Sequence, residues 1–412
     1  MKITFLQEMK ERGYLNQCTD LGKLSEISNK KSISGYIGFD CTASSLHVGS
    51  LLQIMILRLM QKHGHRPIVL LGGGTTLIGD PSGKDTTRKI LNQDKIKKNI
   101  KTIKKVFNKI LITSDKKTKP IFVDNASWLT KLNYIQFLRD IGSHFTINKM
   151  LTFDSVKLRL DREQSLSYME FNYMILQAYD FYQLFKNKNC ILQIGGSDQW
   201  GNIVSGVDLI RRILQKEAYG LTSPLITLAS GSKMGKTEKG AIWLNEDELS
   251  SYDYWQFWRN TDDRDVKRFL NFFTEIDTYD IEKIFKKEKN INKLKILLAN
   301  EATKIMHGEK ASKKAEQTAK ETFEKGGIGS DLPEIKLYLS EVEKGVNFLE
   351  FIANNKILPS KSEARRAIAN KGLKIDDNVI EDENKILKLK DFKNKILKLS
   401  YGKKKHYLVK VI

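Results

Sequence analysis

The strongest constraint on this chain is an alternation. Short apolar runs closed by glycine or polar residues are separated by long stretches of helical periodicity. SGYIGFD (34–40), RPIVLLGGGT (66–75), PIFVDN (120–125), CILQIGG (190–196) and SPLITLAS (223–230) read as strands. SLHVGSLLQIMILRLMQKHG predicts a long helix with Ser44 or Ser45 as N-cap, and DKIKKNIKTIKKVFNKIL predicts a helix with a solvated lysine face. Strands joined by helices pair in parallel, with helices packed on both faces of the sheet. Ligands of such sheets bind beyond the carboxyl ends of the strands. The glycine clusters GGGTT and IGGSD fall at those ends.

The pattern changes after about Glu246. Segments such as SSYDYWQFWRN, DVKRFLNFFTEI and INKLKILLANEATKIMHGEK are helical throughout. GGIGSDLPEI, Gly326 to Ile335, carries the glycine and proline marks of a linker. Residues 346–412 form a small basic module with 16 Lys plus Arg against 8 Asp plus Glu. Within it, SKSEARRAIANKGLKIDD sets Arg365 and Arg366 on a helix, then turns through Lys371-Gly372 into short strands.

A chain of 412 residues exceeds one small core, so two or three domains are expected. It has no apolar run of about eighteen residues, so no membrane span is expected. The start, MKITFLQEMKERGYL, mixes acids and bases unlike a secretory or transit segment. Three scattered cysteines (Cys18, Cys41, Cys190) fit a reducing cytoplasm better than a disulfide framework or a zinc site. The net charge of +21 suits a nucleic-acid partner. Only 14 of the 70 basic residues are arginine, however, and such lysine enrichment also follows from an AT-rich genome. The local placement of charge has to decide.

Two familiar phosphate motifs fail. GDPSGKD lacks the P-loop's first glycine, since residue 78 is Ile78, and Asp85 follows Lys84 where Ser or Thr is needed. Gly72 and Gly74 begin a dinucleotide fingerprint, but Leu77 occupies its third glycine position. LHVGS (46–50) is more informative. It follows a strand and opens a helix, where unpaired N–H groups favour phosphate. His47 adds a side-chain donor, and Gly49 lets a flat ring approach the backbone; a capped, partly buried histidine would read the same way. In FNYMILQAYDF, Tyr173, Gln177 and Asp180 share one helical face. That face reads as a ligand pocket or as a solvated surface. Asp198 and Gln199 in GGSDQWGN suit a ribose diol or an amino group, or else form a polar strand-to-helix turn. SGSKMGKTEKG (230–240) is a glycine-interrupted lysine loop suited to an anion.

LHVGS and KMGKT resemble the two signature motifs of class I aminoacyl-tRNA synthetases. With YIGFDCTASSLHVGSL, GDPSGK, YMILQAYDF and QIGGSDQWGN in this order, essentially the whole chain resembles bacterial-type tyrosyl-tRNA synthetases. The resemblance implies an α/β fold. A Rossmann-like parallel-sheet catalytic domain would span 1–240, with a dimer-forming insertion near 125–190 whose interface segment is roughly Trp128 to Met150. An α-helical anticodon-binding domain (246–325), a linker (326–345) and a small α+β S-four-type RNA-binding domain (346–412) would follow.

It further implies that Tyr36 and Asp180 bind the phenolic hydroxyl of L-tyrosine. Asp80, Tyr173 and Gln177 would hold its amino group, with Gln199 near its carboxylate. ATP would meet Gly38, Asp40, His47, Gly49, Ser50, Gly196 and Asp198. Thr42, Lys84, Arg88, Lys233, Lys236 and Thr237 would face the departing pyrophosphate. Arg365, Arg366 and Lys371 would touch tRNA, unless they form an ordinary solvated face. ATP enters as a substrate with Mg2+, no permanently bound cofactor is implied, and the family is homodimeric. The chain departs from the family pattern at Ser50, Gly235 and Thr237. Tryptophanyl-tRNA synthetase shares the fold but needs no phenol-binding pair. A non-enzymatic RNA-binding descendant would not need the complete signature set present here.

Overall fold

A computed structural model describes residues 3–80, 91–231, 234–237, 240–324, 332–402 and 405–412. It divides into two compact units, 1–249 with 256–308, and 250–255 with 309–412. The first is built on a six-stranded sheet. Its strands are β1 (Gln17–Cys18), β2 (Ser34–Asp40), β3 (Arg66–Gly72), β4 (Ile121–Asp124), β5 (Cys190–Gly196) and β6 (Tyr219–Ser223), in the order β1-β6-β5-β2-β3-β4. β1 runs antiparallel to β6, and every other pairing is parallel. Strand order reverses between β2 and β5, the switch point at which such sheets open a cleft.

The central strands are apolar because helices cover both faces. Ile68, Val69 and Leu71 of β3 are wholly buried. Four helices matter for the site: α1 (Leu51–Lys62), α2 (Gln93–Ile110), α3 (Tyr173–Lys188) and α4 (Trp200–Leu214). In α2, Ile96, Ile100, Ile103, Phe107 and Ile110 recur at three- and four-residue intervals and are all buried. Asn92 caps the first turn by accepting from the Lys95 N–H at 2.9 Å. Phe107 meets Phe39 edge-on at 4.8 Å between centroids, locking α2 to β2. α3 ends at Asn189 in the left-handed conformation (φ 51°), a residue type that tolerates this C-terminal geometry.

Two local expectations change. SPLITLAS is not a strand after its first residue; β6 ends at Ser223, and Pro224 has no N–H with which to continue the ladder. The β6 and β1 runs themselves were not anticipated. The helix expected from Ser44 or Ser45 begins later. His47 caps a short 3-10 turn, Val48–Ser50, by accepting from the Gly49 N–H, and α1 proper starts at Leu51. Ser45 Oγ is engaged elsewhere, accepting from the Asn245 N–H at 3.0 Å.

Helices after Gln256 belong to the first unit as far as Gly308, and Glu309–Glu324 groups with the second. The second unit holds a five-stranded sheet in the order Asn378–Val379, Leu373–Ile375, Ile396–Tyr401, Lys405–Val411, Glu334–Leu337. The last of these strands and the helix Leu339–Lys344 lie within 326–345, so the part of that stretch from Leu332 onward is regular structure rather than open linker. The helices Phe348–Asn354 and Lys361–Ala369 share a core with the sheet, centred on Phe348, Ile352, Ala364, Leu373, Leu397 and Val409.

Candidate active site

A cleft of about 510 Å³ opens where β2 and β5 part. It is lined by Tyr36, Gly38, Asp40, Thr42, His47, Gly49, Ser50, Asp80, Tyr173, Gln177, Asp180, Gly196, Asp198 and Gln199. The residues to which the resemblance assigned a tyrosine contact, and those assigned an ATP contact apart from Lys233 and Lys236, therefore face one space. Lys84, Arg88 and Lys233 lie outside the described residues, as do the side chains of Lys236 and Thr237. Arg365, Arg366 and Lys371 are exposed in the second unit, two of them in surface ion pairs, Arg365 with Glu383 at 3.7 Å and Lys371 with Glu381 at 3.0 Å. Such exposed pairs are worth little.

Asp180 is the deepest carboxyl, 1% exposed. It lies on the α3 face that packs over the sheet, seven residues after Tyr173. Asn125 Nδ2 donates to one of its oxygens at 2.8 Å, and Trp128 Nε1 donates to the other at 2.7 Å. Burial nevertheless pushes its carboxyl up to about 7; the two donated bonds only partly offset this, and Asp40 and Asp124 add to the rise. Asn125 is itself held by the loop after β3. Its Oδ1 accepts from the Gly74 N–H at 2.8 Å, and its Nδ2 also reaches Thr75 Oγ1 at 3.1 Å.

Tyr36 is buried opposite, 1% exposed. Its hydroxyl finds no hydrogen-bond partner among the described residues. Burial, then the nearby Asp180 charge, hold the phenol well above its ordinary pKa, so it stays protonated as a donor. A buried hydroxyl left unpaired costs about 1–3 kcal/mol. An orphan donor beside a buried carboxyl is therefore a position awaiting a polar guest.

Polar side chains line the rim as a connected set. Gln199 Nε2 donates to Asp80 at 3.0 Å. Asn202 Nδ2 reaches both Gln177 Oε1 at 3.0 Å and Gln199 Oε1 at 3.1 Å, tying α3 to the first turn of α4. Tyr173 Oη donates to Asp40 at 3.4 Å. At Gly38 an added Cβ would meet nothing within 4 Å, so the cleft floor there is open.

The two signature segments meet. Gly235 has φ +99°, and a Cβ on it would lie 2.6 Å from His47 Nδ1. A Cβ on Gly49 would lie 2.7 Å from the His47 ring and 2.8 Å from the Met234 carbonyl. The His47 imidazole and the Met234 carbonyl thus leave no room for a side chain at Gly49, which also lines the cleft. His47 Nδ1 accepts from the Gly49 N–H at 3.0 Å, so in the neutral ring the proton sits on Nε2. Backbone bonds secure the arrangement: Val48 N–H to Ile242 O and Leu244 N–H to Leu46 O, both 2.9 Å. Gln53 and Gln193 also line the cleft, and each buries an amide oxygen without a partner among the described residues.

Sequence reasoning missed Asn125, Asn202, Gln53 and Gln193, and it noted Trp128 only as the edge of an insertion. Asn125 carried one usable signal, its position at the carboxyl end of a strand. The others become polar contacts only once separate segments meet.

Residues 28–324 match the family described as tRNA synthetases class I (W and Y), and residues 323–409 match the tyrosine–tRNA ligase SYY-like C-terminal domain. The chain belongs to the bacterial-type tyrosyl-tRNA synthetases. The tyrosine–tRNA ligase of Pelagibacter ubique is 60% identical over 408 residues, covering 99% of each chain. That of Rickettsia prowazekii is 54% identical over 411 residues, covering 99% of this synthetase and 100% of the relative. Among solved structures, a C-terminally truncated mitochondrial tyrosyl-tRNA synthetase of Aspergillus nidulans superposes with a TM-score of 0.70 at 28% identity, covering 78% of this chain and 95% of its own.

Proposed function

We infer that the chain is a tyrosine–tRNA ligase. It activates L-tyrosine with ATP to tyrosyl-adenylate and pyrophosphate, then transfers the tyrosyl group to the 3′ end of tRNA(Tyr). The observation that carries the reading is the orphaned Tyr36 hydroxyl beside Asp180, a donor and an acceptor at the closed end of the cleft. A phenol satisfies both: Tyr36 donates to its oxygen, and Asp180 accepts its proton. Phenylalanine would leave both polar groups unpaired, a loss that can discriminate by roughly 10⁴–10⁵.

In this reading Asp80, Tyr173 and Gln177 hold the ammonium group, and Gln199 steers the carboxylate. That carboxylate attacks the α-phosphorus; a carboxylate–phosphorus bond forms as the bond to pyrophosphate breaks. No enzyme nucleophile takes part, so positioning and charge stabilisation supply the rate. His47, Gly49 and Ser50 meet the nucleotide, Asp198 and the Gly196 backbone its ribose, and Lys233 and Lys236 the leaving phosphates. ATP enters as its Mg2+ complex, the ion carried mainly by phosphate oxygens and water. In the second step a ribose hydroxyl of the tRNA attacks the adenylate carbonyl, and AMP departs. Arg365, Arg366 and Lys371 serve tRNA binding.

Homodimer formation through the insertion is part of the same proposal. Eight of the seventeen exposed large apolar residues among the described residues fall between Tyr134 and Tyr168, with Ile135 71% and Ile147 59% exposed. Apolar exposure concentrated in this way marks an interface. A cytoplasmic location fits the three free cysteines, and no helix among the described residues is long and apolar enough to cross a membrane.

Amino-acid-dependent ATP–pyrophosphate exchange tests the reading. Exchange with tyrosine, and not with phenylalanine or tryptophan, is expected. Exchange with tryptophan alone would move the chain to the sister enzyme, and none at all would refute the ligase assignment.

A further inference from the structure

The outer face of α2 differs from the chain's other charged helices. Seven of its 18 residues are lysine, and only Asp94 is acidic. The apolar stripe is buried, so Lys95, Lys97, Lys98, Lys101, Lys105 and Lys109 stand exposed on the other side. None of the six has an ion-pair partner among the described residues, and apart from Asp94 the helix offers no acid one turn away of the kind that pairs Lys30 with Glu26, Lys313 with Glu309 and Lys320 with Glu316, at 2.6–2.8 Å. Lysine-rich composition alone scatters lysine among acids; it does not strip one face of acids. Lys97, Lys101 and Lys105 also follow each other at four-residue spacing, where like charges repel and weaken a helix. A face that keeps this repulsion is matched to a polyanion.

Its position indicates which polyanion. Asn99 Nδ2 donates to the Cys41 carbonyl at 2.8 Å, fixing the early turns of α2 beside Thr42 at the cleft. The later turns lie over β4, with Phe107 6.0 Å from Phe122. The lysine face therefore runs from the cleft edge over the sheet, Lys95 to Lys109 spanning roughly 21 Å at 1.5 Å per residue.

We propose that this face binds the phosphate backbone of the tRNA stem whose 3′ end enters the cleft. The proposal rests on the ligase reading. It adds a binding surface to that function and leaves the chemistry of activation untouched. Lysine reads phosphate as a point charge, so the interaction is independent of base sequence and sensitive to salt.

The test is the full-length triple variant Lys97→Gln, Lys101→Gln, Lys105→Gln, with Lys97→Arg, Lys101→Arg, Lys105→Arg as its charge-retaining counterpart. Glutamine is a good helix former, so the helix is kept. Tyrosine-dependent pyrophosphate exchange should stay at the wild-type level in both. In aminoacylation the glutamine variant should raise KM for tRNA on the order of ten-fold, and the salt dependence of kcat/KM should become shallower by about one unit for each phosphate that is no longer neutralised. The arginine variant should retain both values. Unchanged KM and salt slope in the glutamine variant would overturn the proposal and leave a solvated face. Weakened binding of a non-cognate RNA duplex with unchanged charging of tRNA would overturn it in favour of another RNA. Wild-type protein without tyrosine-dependent exchange would refute the ligase reading and the tRNA assignment with it.

Discussion

Replacing Tyr36 with phenylalanine should move the free and the liganded protein in opposite directions. In the free protein the Tyr36 hydroxyl is buried without a partner among the described residues. Its removal relieves a penalty of about 1–3 kcal/mol, so the empty variant should be more stable than wild type by up to that amount. With tyrosine bound, the variant loses one neutral hydrogen bond, about 0.5–1.5 kcal/mol, or roughly 2- to 12-fold in affinity. With phenylalanine bound, the variant leaves one orphan group fewer than wild type does. That orphan is already present in the empty wild-type site, so affinity for phenylalanine is unchanged and discrimination should fall by the tyrosine loss alone, roughly 2- to 12-fold. Asp180 retains the remainder through its bonds to Asn125 and Trp128. Urea unfolding without ligand measures the first effect, and pyrophosphate exchange with each amino acid measures the second. A variant less stable when empty, or an unchanged ratio of kcat/KM for tyrosine over phenylalanine, would refute the reasoning.

Asp180→Asn should abolish tyrosine activation and flatten part of the pH dependence of stability. The wild-type carboxyl is raised by burial to about 7, so its favourable contribution is complete below the unfolded pKa near 4 and is lost as pH rises to 7. The variant should gain on wild type across that window by up to about 4 kcal/mol, read from urea midpoints at successive pH values; a constant difference would contradict this. Asn202→Ala cuts the link between Gln177 and Gln199 and should raise KM for tyrosine about ten-fold with a smaller change in kcat, which exchange kinetics would resolve. Gly49→Ala forces a methyl against the His47 ring and the Met234 carbonyl, and should lower the exchange kcat by about 10² while thermal unfolding shifts only modestly; normal kcat would show that the packing of the two segments is dispensable.

The parallel sheet was legible in the sequence because strand and helix periodicities are local. SGYIGFD and CILQIGG became β2 and β5 residue for residue. The helical spacing of Tyr173, Gln177 and Asp180 likewise put them on one wall of the cleft. Expectations that needed knowledge of neighbours fared differently. Serine is a good N-cap by type, yet Ser45 accepts from Asn245, 200 residues away, and His47 caps the turn instead. Pro224 ends a strand whose start, at Tyr219, has too little apolar pattern to stand out.

The chain by itself thus determined the α/β architecture, the two signature segments and the shared face of Tyr173, Gln177 and Asp180, because each depends on residue type and short spacing, while the other cleft residues came from the family resemblance that the ordered motifs carry. Only the tertiary structure decided what those residues do to one another. Asp180 meets Asn125 and Trp128 from 55 and 52 residues away, and Gly49 meets the Met234 carbonyl across the fold. The physical reason is that burial and hydrogen-bond satisfaction are properties of a packed neighbourhood. A carboxyl becomes perturbed, and a hydroxyl orphaned, only when distant segments close around them and exclude water.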